Sequence, residues 1–244
     1  AAFALTAMTL VELGTTTEGN RTHCADQLHV AATLPDYIRA QNNLTSAQTD
    51  EYGYGLTTEE RRAYVRDTVV FNHALESLID NDSGATFNEV TKFVYGMYTQ
   101  LLPRDTPEQR QAIKKDIEMT LNGIRGEIIG EQLLEYLGYD TERPTVEDDM
   151  RGIDRHVYFE DGWKGVDFKI DPKMAEKKRL KRPGSLTLTV PVPDDVIGTK
   201  LRLDSKDVAT YAPYFATELA REWQRYSAYK ARIEAERATH GAQG

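Results

Sequence analysis

The sequence lacks several features that define large classes of protein. It has one cysteine, Cys24, in 244 residues, which excludes an internal disulfide and a cysteine-rich zinc site. No apolar run approaches the roughly 18 residues of a membrane span, so we expect no membrane partner. It has neither a Walker loop nor a dinucleotide glycine fingerprint, so no nucleotide cofactor is expected. The apolar start has no basic residues and is followed by Glu12, so we expect a cytoplasmic protein without a signal peptide.

Charge is distributed unevenly along the chain. The net charge of −9, from 30 basic and 39 acidic residues, argues against a general binder of polyanions. Residues 1–110 hold 8 of the basic and 15 of the acidic side chains, whereas residues 111–244 hold 22 and 24. One short segment concentrates six basic residues: Lys173, Lys177, Lys178, Arg179, Lys181 and Arg182. This basic run predicts contact with DNA phosphates; the alternative is a flexible solvated loop.

The chain divides into two parts of different character. Residues 1–105 show mostly helical patterns, including a capping-box signature with Thr57 as N-cap and Glu60 three residues later. Two prolines in the segment Pro103–Pro107 break these patterns. We therefore predict a helical region for recognition or dimerisation over 1–105 and a second domain over 106–244.

The second part mixes helical and extended patterns. A helix is predicted from Thr106 to about Leu137, with a possible break near Gly123 and a C-cap at Gly138. Period-two or β-rich segments then predict antiparallel strands at 151–159, 164–170 and 186–190, with a possible fourth at 200–203. Apolar residues on one face predict a closing helix over 205–236.

Two of the predicted strands carry residues suited to metal-dependent chemistry. Side chains in a strand alternate between faces, so Asp167 and Lys169 share one face. A hairpin would bring Asp154, on the preceding strand, close to them. Two carboxylates with open positions suit Mg²⁺, which prefers oxygen ligands and keeps several waters. A nearby lysine can orient water or neutralise charge that develops on a phosphate. The alternative is a surface ion-pair ladder.

The preceding helix contributes a further candidate, Glu127. Three glycines in the same helix, Gly123, Gly126 and Gly130, each cost roughly 1 kcal/mol relative to alanine in a helix interior. Close approach of a neighbouring element would explain them, and it could deliver Glu127 to the metal. Glu131 is the alternative candidate for this role. Both glutamates could instead belong to a solvated acidic face.

The order of these residues resembles the PD-(D/E)xK nuclease superfamily, which includes many restriction endonucleases and Holliday-junction resolvases. The resemblance covers roughly residues 111–190. It lies in the helix around Gly126–Glu127, in Gly152-Ile153-Asp154, and in Asp167-Phe168-Lys169 as the (D/E)-x-K motif. Ile153 stands where the proline of the superfamily name would be. The resemblance implies an α+β fold, with an α/β/α restriction-endonuclease-like core and a mixed central sheet after the helical region.

The resemblance also implies roles for individual residues. Asp154, Asp167 and the backbone carbonyl of Phe168 would bind Mg²⁺, for which Mn²⁺ is a possible substitute. Lys169 would position the attacking water, and Glu127 would be a second metal or water ligand. His156 shares the face of Asp154 and could touch the scissile phosphate, or be an ordinary strand histidine with a local partner. Arg155 should point to the opposite face.

The leading hypothesis from the sequence is a Mg²⁺-dependent endonuclease that hydrolyses DNA phosphodiester bonds and is of the sequence-specific restriction type. Cutting both strands of a duplex needs two active sites, so a homodimer is the expected assembly. One alternative is a repair or junction nuclease that selects the structure of branched DNA or acts on RNA. Another is a non-catalytic module on a nuclease fold that binds nucleic acid or protein.

Overall fold

The structure, a computed structural model, describes residues 18–46, 57–82, 84–102, 105–192 and 200–241. Within these ranges the chain forms seven helices and four strands. It divides into two compact units, which we call the helical unit (Ala1–Ile124) and the sheet unit (Arg125–Gly244). No helix of the described ranges is long and apolar enough to cross a membrane.

The helical unit contains α1 (Glu18–Ser46), α2 (Thr58–Asn81), α3 (Phe87–Leu101) and the first part of α4 (Pro107–Tyr136). The capping box predicted at Thr57 and Glu60 is confirmed, and Thr86 and Glu89 form a second one at the start of α3. Helix α1 packs on α2 through stacked rings of Tyr37 and Phe71, whose centroids are 4.3 Å apart. Apolar burial between amphipathic helices therefore holds this unit together.

The division between the units differs from the boundary predicted near residue 105. Helix α4 begins at Pro107 as expected, but it continues without a break through Gly123 to Tyr136. The division between the two compact units falls within this helix, between Ile124 and Arg125. The proline-rich segment thus separates two helices of the same unit. The predicted C-cap is confirmed, since Gly138 follows the helix with a φ of 86°.

The sheet unit is built on a small mixed sheet. Its strands are β1 (Thr141–Glu142), β2 (Arg155–Phe159), β3 (Gly162–Lys169) and β4 (Leu186–Thr189), and they lie side by side in that order. The first two pairings are antiparallel, whereas β4 lies parallel to β3. The predicted combination of helices and sheet is confirmed. The mixed sheet implied by the superfamily resemblance is confirmed, whereas the antiparallel arrangement predicted from the strand patterns is wrong for β4.

The parallel pairing has a cause that the strand patterns do not reveal. A parallel neighbour needs a crossover connection, and the basic run supplies it as helix α6 (Pro172–Lys181). Asp171 caps this helix by accepting a hydrogen bond from the backbone N–H of Lys173 at 2.8 Å. The alternative interpretation of the basic run as a flexible loop is therefore wrong.

The two faces of the sheet differ in composition. The packed face carries Val157, Val166, Phe168 and Leu188, which are buried in a core shared with α4 and with α7 (Ser205–Gly241). By alternation, the charged face carries Asp154, His156, Asp167 and Lys169. The helix α5 (Val146–Asp149) lies in the connection before β2.

Two glycines let α4 approach the packed face closely. A Cβ at Gly130 would lie 2.7 Å from ring atoms of Phe168, and one at Gly126 would lie 2.9 Å from Ile170. The predicted close approach is therefore confirmed for these two positions. Gly123 has no such neighbour within 4 Å among the described residues, so close packing there does not explain it.

Helix α7 covers β4, which is an edge strand of the sheet. The carboxylates of Glu222 and Glu218 accept hydrogen bonds from the backbone N–H groups of Thr187, at 2.9 Å, and Thr189, at 3.2 Å. Edge strands otherwise present unpaired N–H groups to other chains, and α7 satisfies these two. The predicted strand at 200–203 does not form, because the side-chain amide of Gln132 bonds both backbone groups of Leu203.

Candidate active site

The three residues of the predicted centre lie together on the charged face of the sheet. The ammonium Nζ of Lys169 donates to Asp167 Oδ1 at 2.7 Å and lies 3.8 Å from Asp154 Oδ2. The Lys169 Nζ also donates to the backbone carbonyl of Phe168 at 2.8 Å. The hairpin and the alternation of side chains therefore bring together two carboxylates, one carbonyl and one ammonium group.

Backbone pairing fixes the position of Asp154. Its backbone N–H donates to the Val166 carbonyl at 2.8 Å, which continues the pairing of β2 with β3 by one residue. Its Oδ2 accepts a hydrogen bond from the backbone N–H of Phe168 at 2.7 Å. Asp154 is thus held at both ends, and its carboxylate is oriented toward the neighbouring strand.

Burial and charge shift the protonation equilibria of this centre. Burial raises the pKa of Asp167 to about 6, and the charge of Asp154 adds to the rise, while Lys169 and Lys178 oppose it. Burial alone would lower the pKa of Lys169, but the charges of Asp154 and Asp167 outweigh this effect and raise it. Lys169 is consequently a stable cation at neutral pH.

One oxygen of the centre lacks a hydrogen-bond partner among the described residues. Asp167 Oδ2 is buried and accepts no hydrogen bond, although its Oδ1 accepts from Lys169. Buried polar atoms are rarely left unpaired, and such exceptions are often found at functional sites. A carboxylate oxygen of this kind, beside a second carboxylate and a backbone carbonyl, is a donor set that suits Mg²⁺. The residues therefore fit a hard divalent cation.

Glu127 is placed differently from the other predicted ligands. It lies 3.5 Å from the Nη1 of Arg155, whose side chain is only 1% exposed, and Arg155 also pairs with Glu131 at 3.1 Å. The charge of Glu127 still contributes to the raised pKa of Lys169, so this glutamate is close to the centre. Among the described residues, however, no three His, Cys, Asp or Glu side chains form a ready group of metal ligands.

Arg155 is a site residue whose importance was missed in the sequence. Its side chain points away from the face of Asp154, as expected, but there it is buried and holds both candidate glutamates of α4. An arginine at a position that alternates with Val157 and Phe159 is the signal in the sequence, because a charge on a buried face needs partners.

The residues of the basic run differ in exposure: some point to solvent, and others point into the sheet unit. Lys173, Lys177, Lys181 and Arg182 are exposed. The first three recur at intervals of four residues, so they form one ridge along α6. Lys178 instead points into the centre, where its Nζ contacts Asp167 Oδ1 and donates to the Gly152 carbonyl at 3.2 Å. Only the outward members are positioned for the predicted contact with phosphates.

Arg179, another predicted DNA-binding residue, is buried. Its guanidinium donates to Glu222 at 3.1 Å and to the Thr187 carbonyl at 2.9 Å, and it also pairs with Glu218. This arginine therefore ties α6 to α7 and β4. A contact with DNA would require it to leave these partners, so its direct contact with DNA is not supported by this arrangement.

His156 has a local partner. Its Nε2 lies 3.3 Å from Asp148 Oδ2, and Thr145 also holds this carboxylate at the start of α5. These contacts lower the pKa of Asp148, the Thr145 hydrogen bond more than that of His156. His156 shares the charged face with Asp154, but the arrangement also fits the alternative of a strand histidine with a satisfied hydrogen bond.

Comparison with protein-family models, curated proteins and solved structures found no match for this chain.

Proposed function

We propose that this protein is a Mg²⁺-dependent endonuclease that hydrolyses DNA phosphodiester bonds, of the sequence-specific restriction type and with a core like that of the PD-(D/E)xK superfamily. The observation that carries the proposal is the convergence of Asp154 and Asp167 on the ammonium group of Lys169, together with a buried Asp167 Oδ2 that has no hydrogen-bond partner among the described residues. An ordinary surface ion-pair ladder would be exposed, whereas Asp167 is only 2% exposed.

The proposed division of roles follows from the donor atoms. Asp154, Asp167 and the Phe168 carbonyl would hold Mg²⁺, and Mn²⁺ is a possible substitute. When bound, the metal ion would act as a Lewis acid toward a phosphate and lower the pKa of water. Lys169 would stay protonated beside two carboxylates, so we assign it to holding the attacking water and to neutralising charge on the phosphate.

Glu127 and the basic ridge would complete the site. Arg155 holds Glu127 and can keep its carboxylate oriented near the centre, where it would serve as a second metal or water ligand. Lys173, Lys177 and Lys181 would meet the DNA backbone, because the ridge lies on the helix that also carries Lys178 into the centre. A homodimer would supply the second site needed to cut both strands, and light scattering of the purified protein tests that assembly.

The test compares cleavage of plasmid and linear duplex DNA with Mg²⁺ or with EDTA. We expect discrete fragments that require Mg²⁺, and a loss of at least about 10²–10³ in rate in Asp167→Ala and in Lys169→Ala, since each removes a charge at the reacting phosphate. Asp161→Ala is the matched control, because Asp161 lies in the exposed hairpin turn. Unchanged cleavage in Asp167→Ala would contradict the site. DNA binding without cleavage of any substrate would favour a non-catalytic module.

One observation favours a second candidate, a nuclease that selects branched or single-stranded nucleic acid. Tyr158 and Trp163 are exposed on the same face as Asp154 and Asp167, and their rings meet edge to face with centroids 5.4 Å apart. Exposed aromatic rings stack well on unpaired bases. Competition between linear duplex, four-way junction and single strands distinguishes the candidates. Trp163→Ala should weaken cleavage of the junction or single strand selectively if this second function is the correct one.

A further inference from the structure

A second lysine enters the centre from outside the (D/E)-x-K motif. Lys178 lies on α6, and its Nζ contacts the same Asp167 Oδ1 that accepts from Lys169. The Lys178 side chain is 18% exposed, so it is largely withdrawn from solvent. Its second acceptor is the backbone carbonyl of Gly152, at 3.2 Å. Lys178 is therefore held in the centre by two separate elements of the chain.

The backbone at Gly152 makes room for this lysine. Gly152 has a φ of 79°, a left-handed conformation that glycine adopts readily. A Cβ at this position would lie 2.8 Å from the Lys178 Nζ, which is closer than real contacts allow. The absence of a side chain at residue 152 is thus a condition for the position of the Lys178 ammonium.

Lys178 changes the charge of the centre. Asp154 and Asp167 supply two negative charges, and Lys169 and Lys178 supply two positive charges, so the cluster is neutral as it stands. Arg155 pairs with both Glu127 and Glu131, so these three side chains leave one further negative charge near the cluster. A divalent cation binds best where carboxylates outnumber nearby cations, because like charges a few ångströms apart repel strongly at low dielectric. Lys178 therefore opposes the binding of a cation at Asp167.

We propose that Lys178 is a positioning residue that couples metal binding to nucleic-acid binding. In the free protein its ammonium acts as an internal counterion of Asp167. A nucleic-acid phosphate that reaches α6 attracts this ammonium away from Asp167, and the carboxylate then becomes available to the cation. By thermodynamic reciprocity, the cation strengthens nucleic-acid binding by the same factor. This inference rests on the proposed function, since it concerns the same metal site.

The test measures Mn²⁺ binding by electron paramagnetic resonance without nucleic acid, so it does not depend on turnover. We expect Lys178→Gln to bind Mn²⁺ at least about tenfold more tightly than the unmodified protein, because a nearby positive charge is removed. Lys178→Arg should keep the unmodified affinity, and so should Lys177→Gln, which removes a charge from the exposed ridge instead. A merely structural lysine would weaken Mn²⁺ binding when replaced.

A second titration tests the coupling directly. Adding a short phosphorothioate DNA duplex should tighten Mn²⁺ binding to the unmodified protein about tenfold and leave Lys178→Gln nearly unchanged. If Lys178→Gln does not fold, Lys178→Met offers a second route, since it also removes the ammonium and should likewise tighten Mn²⁺ binding.

The outcomes separate this inference from the proposed function. If Asp167→Asn abolishes Mn²⁺ binding but Lys178→Gln binds no more tightly than the unmodified protein, the role of Lys178 is overturned and the metal site stands. If Asp167→Asn binds Mn²⁺ as well as the unmodified protein does, the cation is not held at Asp167, and the proposed function fails first.

Discussion

The two faces of the small sheet use the same strands for different purposes. The packed face is apolar and pressed against α4, with Phe168 meeting Gly130 and with Arg155 as its buried charge. The charged face holds the buried carboxylates of Asp154 and Asp167 beside the partly exposed Lys169. Because neighbouring residues alternate, Phe168 anchors the sheet while residues 167 and 169 carry the centre. Packing on one face therefore positions the charged cluster on the other.

This comparison predicts that stability and function depend on opposite faces. Replacements on the packed face should destabilise the sheet unit, and replacements on the charged face should change the proposed nuclease activity without unfolding the unit. Both tryptophans, Trp163 and Trp223, lie in the sheet unit, so their fluorescence during urea unfolding reports on this unit.

The largest expected effect is on the packed face. Phe168→Ala should lower the free energy of unfolding by about 3–5 kcal/mol, because it leaves a cavity beneath α4. Trp163→Ala, on the exposed side of the same strand, should change it by less than about 1 kcal/mol; Trp223 then provides the signal. Equal losses in the two variants would contradict the division between the faces.

The next effect has the opposite sign and depends on pH. Because the pKa of Asp167 is raised to about 6, its ionisation destabilises the fold. The free energy of unfolding is therefore higher while Asp167 is protonated. This contribution to stability is fully present below the ordinary pKa of 3.8 and is lost as the pH rises through about 6.

Asp167→Asn should therefore stabilise the sheet unit at pH 7, by at most about 3 kcal/mol at 1.36 kcal/mol per pH unit. The gain should vanish below about pH 4. Urea unfolding at a series of pH values measures it, and Asp161→Asn in the exposed turn is the control. If Asp167→Asn is less stable than the unmodified protein at pH 7, the loss of the ion pairs with Lys169 and Lys178 outweighs the gain from no longer burying a charge.

Two glycines of α4 should respond in opposite ways to replacement by alanine. Gly130→Ala should destabilise the protein by about 1–3 kcal/mol, because its Cβ would press on the Phe168 ring. Gly123→Ala meets no neighbour and should stabilise α4 by up to about 1 kcal/mol through helix propensity. Urea titration of both variants checks the difference in sign.

The smallest effect concerns the exposed ridge of α6. Lys177→Gln should leave the free energy of unfolding unchanged within about 0.5 kcal/mol. In the proposed nuclease it should also reduce the slope of log affinity for DNA against log salt by about 1, since it removes one phosphate contact. Fluorescence anisotropy with labelled duplex at several salt concentrations measures this slope. Arg179→Gln provides the contrast, because it should destabilise the fold through its buried partners.

Much of this organisation could be predicted from local patterns. The capping box at Thr57, the helix end at Gly138 and the hairpin between residues 159 and 162 depend on neighbouring residues alone. The shared face of Asp167 and Lys169 follows from the period of a strand. The glycines of α4 indicated a close neighbour, although the sequence did not say that the neighbour was Phe168.

Other features depend on residues that are distant in sequence. The parallel pairing of β4, the pairing of Arg155 with two glutamates of α4, and the separation of Lys178 from Arg179 are of this kind. Adjacent basic residues look alike in a sequence, but α6 directs one toward Asp167 and the next toward Glu222.

Local patterns are enough to predict the types of element, their approximate order and which acidic and basic residues share one strand face, because hydrophobic period, caps and turns depend on neighbouring residues. Which charges meet depends on the packing of elements that are distant in sequence. A buried charge needs an opposite charge as its partner, whereas an exposed charge does not, because water solvates it. Which residues are buried depends on the packing of the whole chain. The neutral cluster of two aspartates and two lysines is therefore a product of packing.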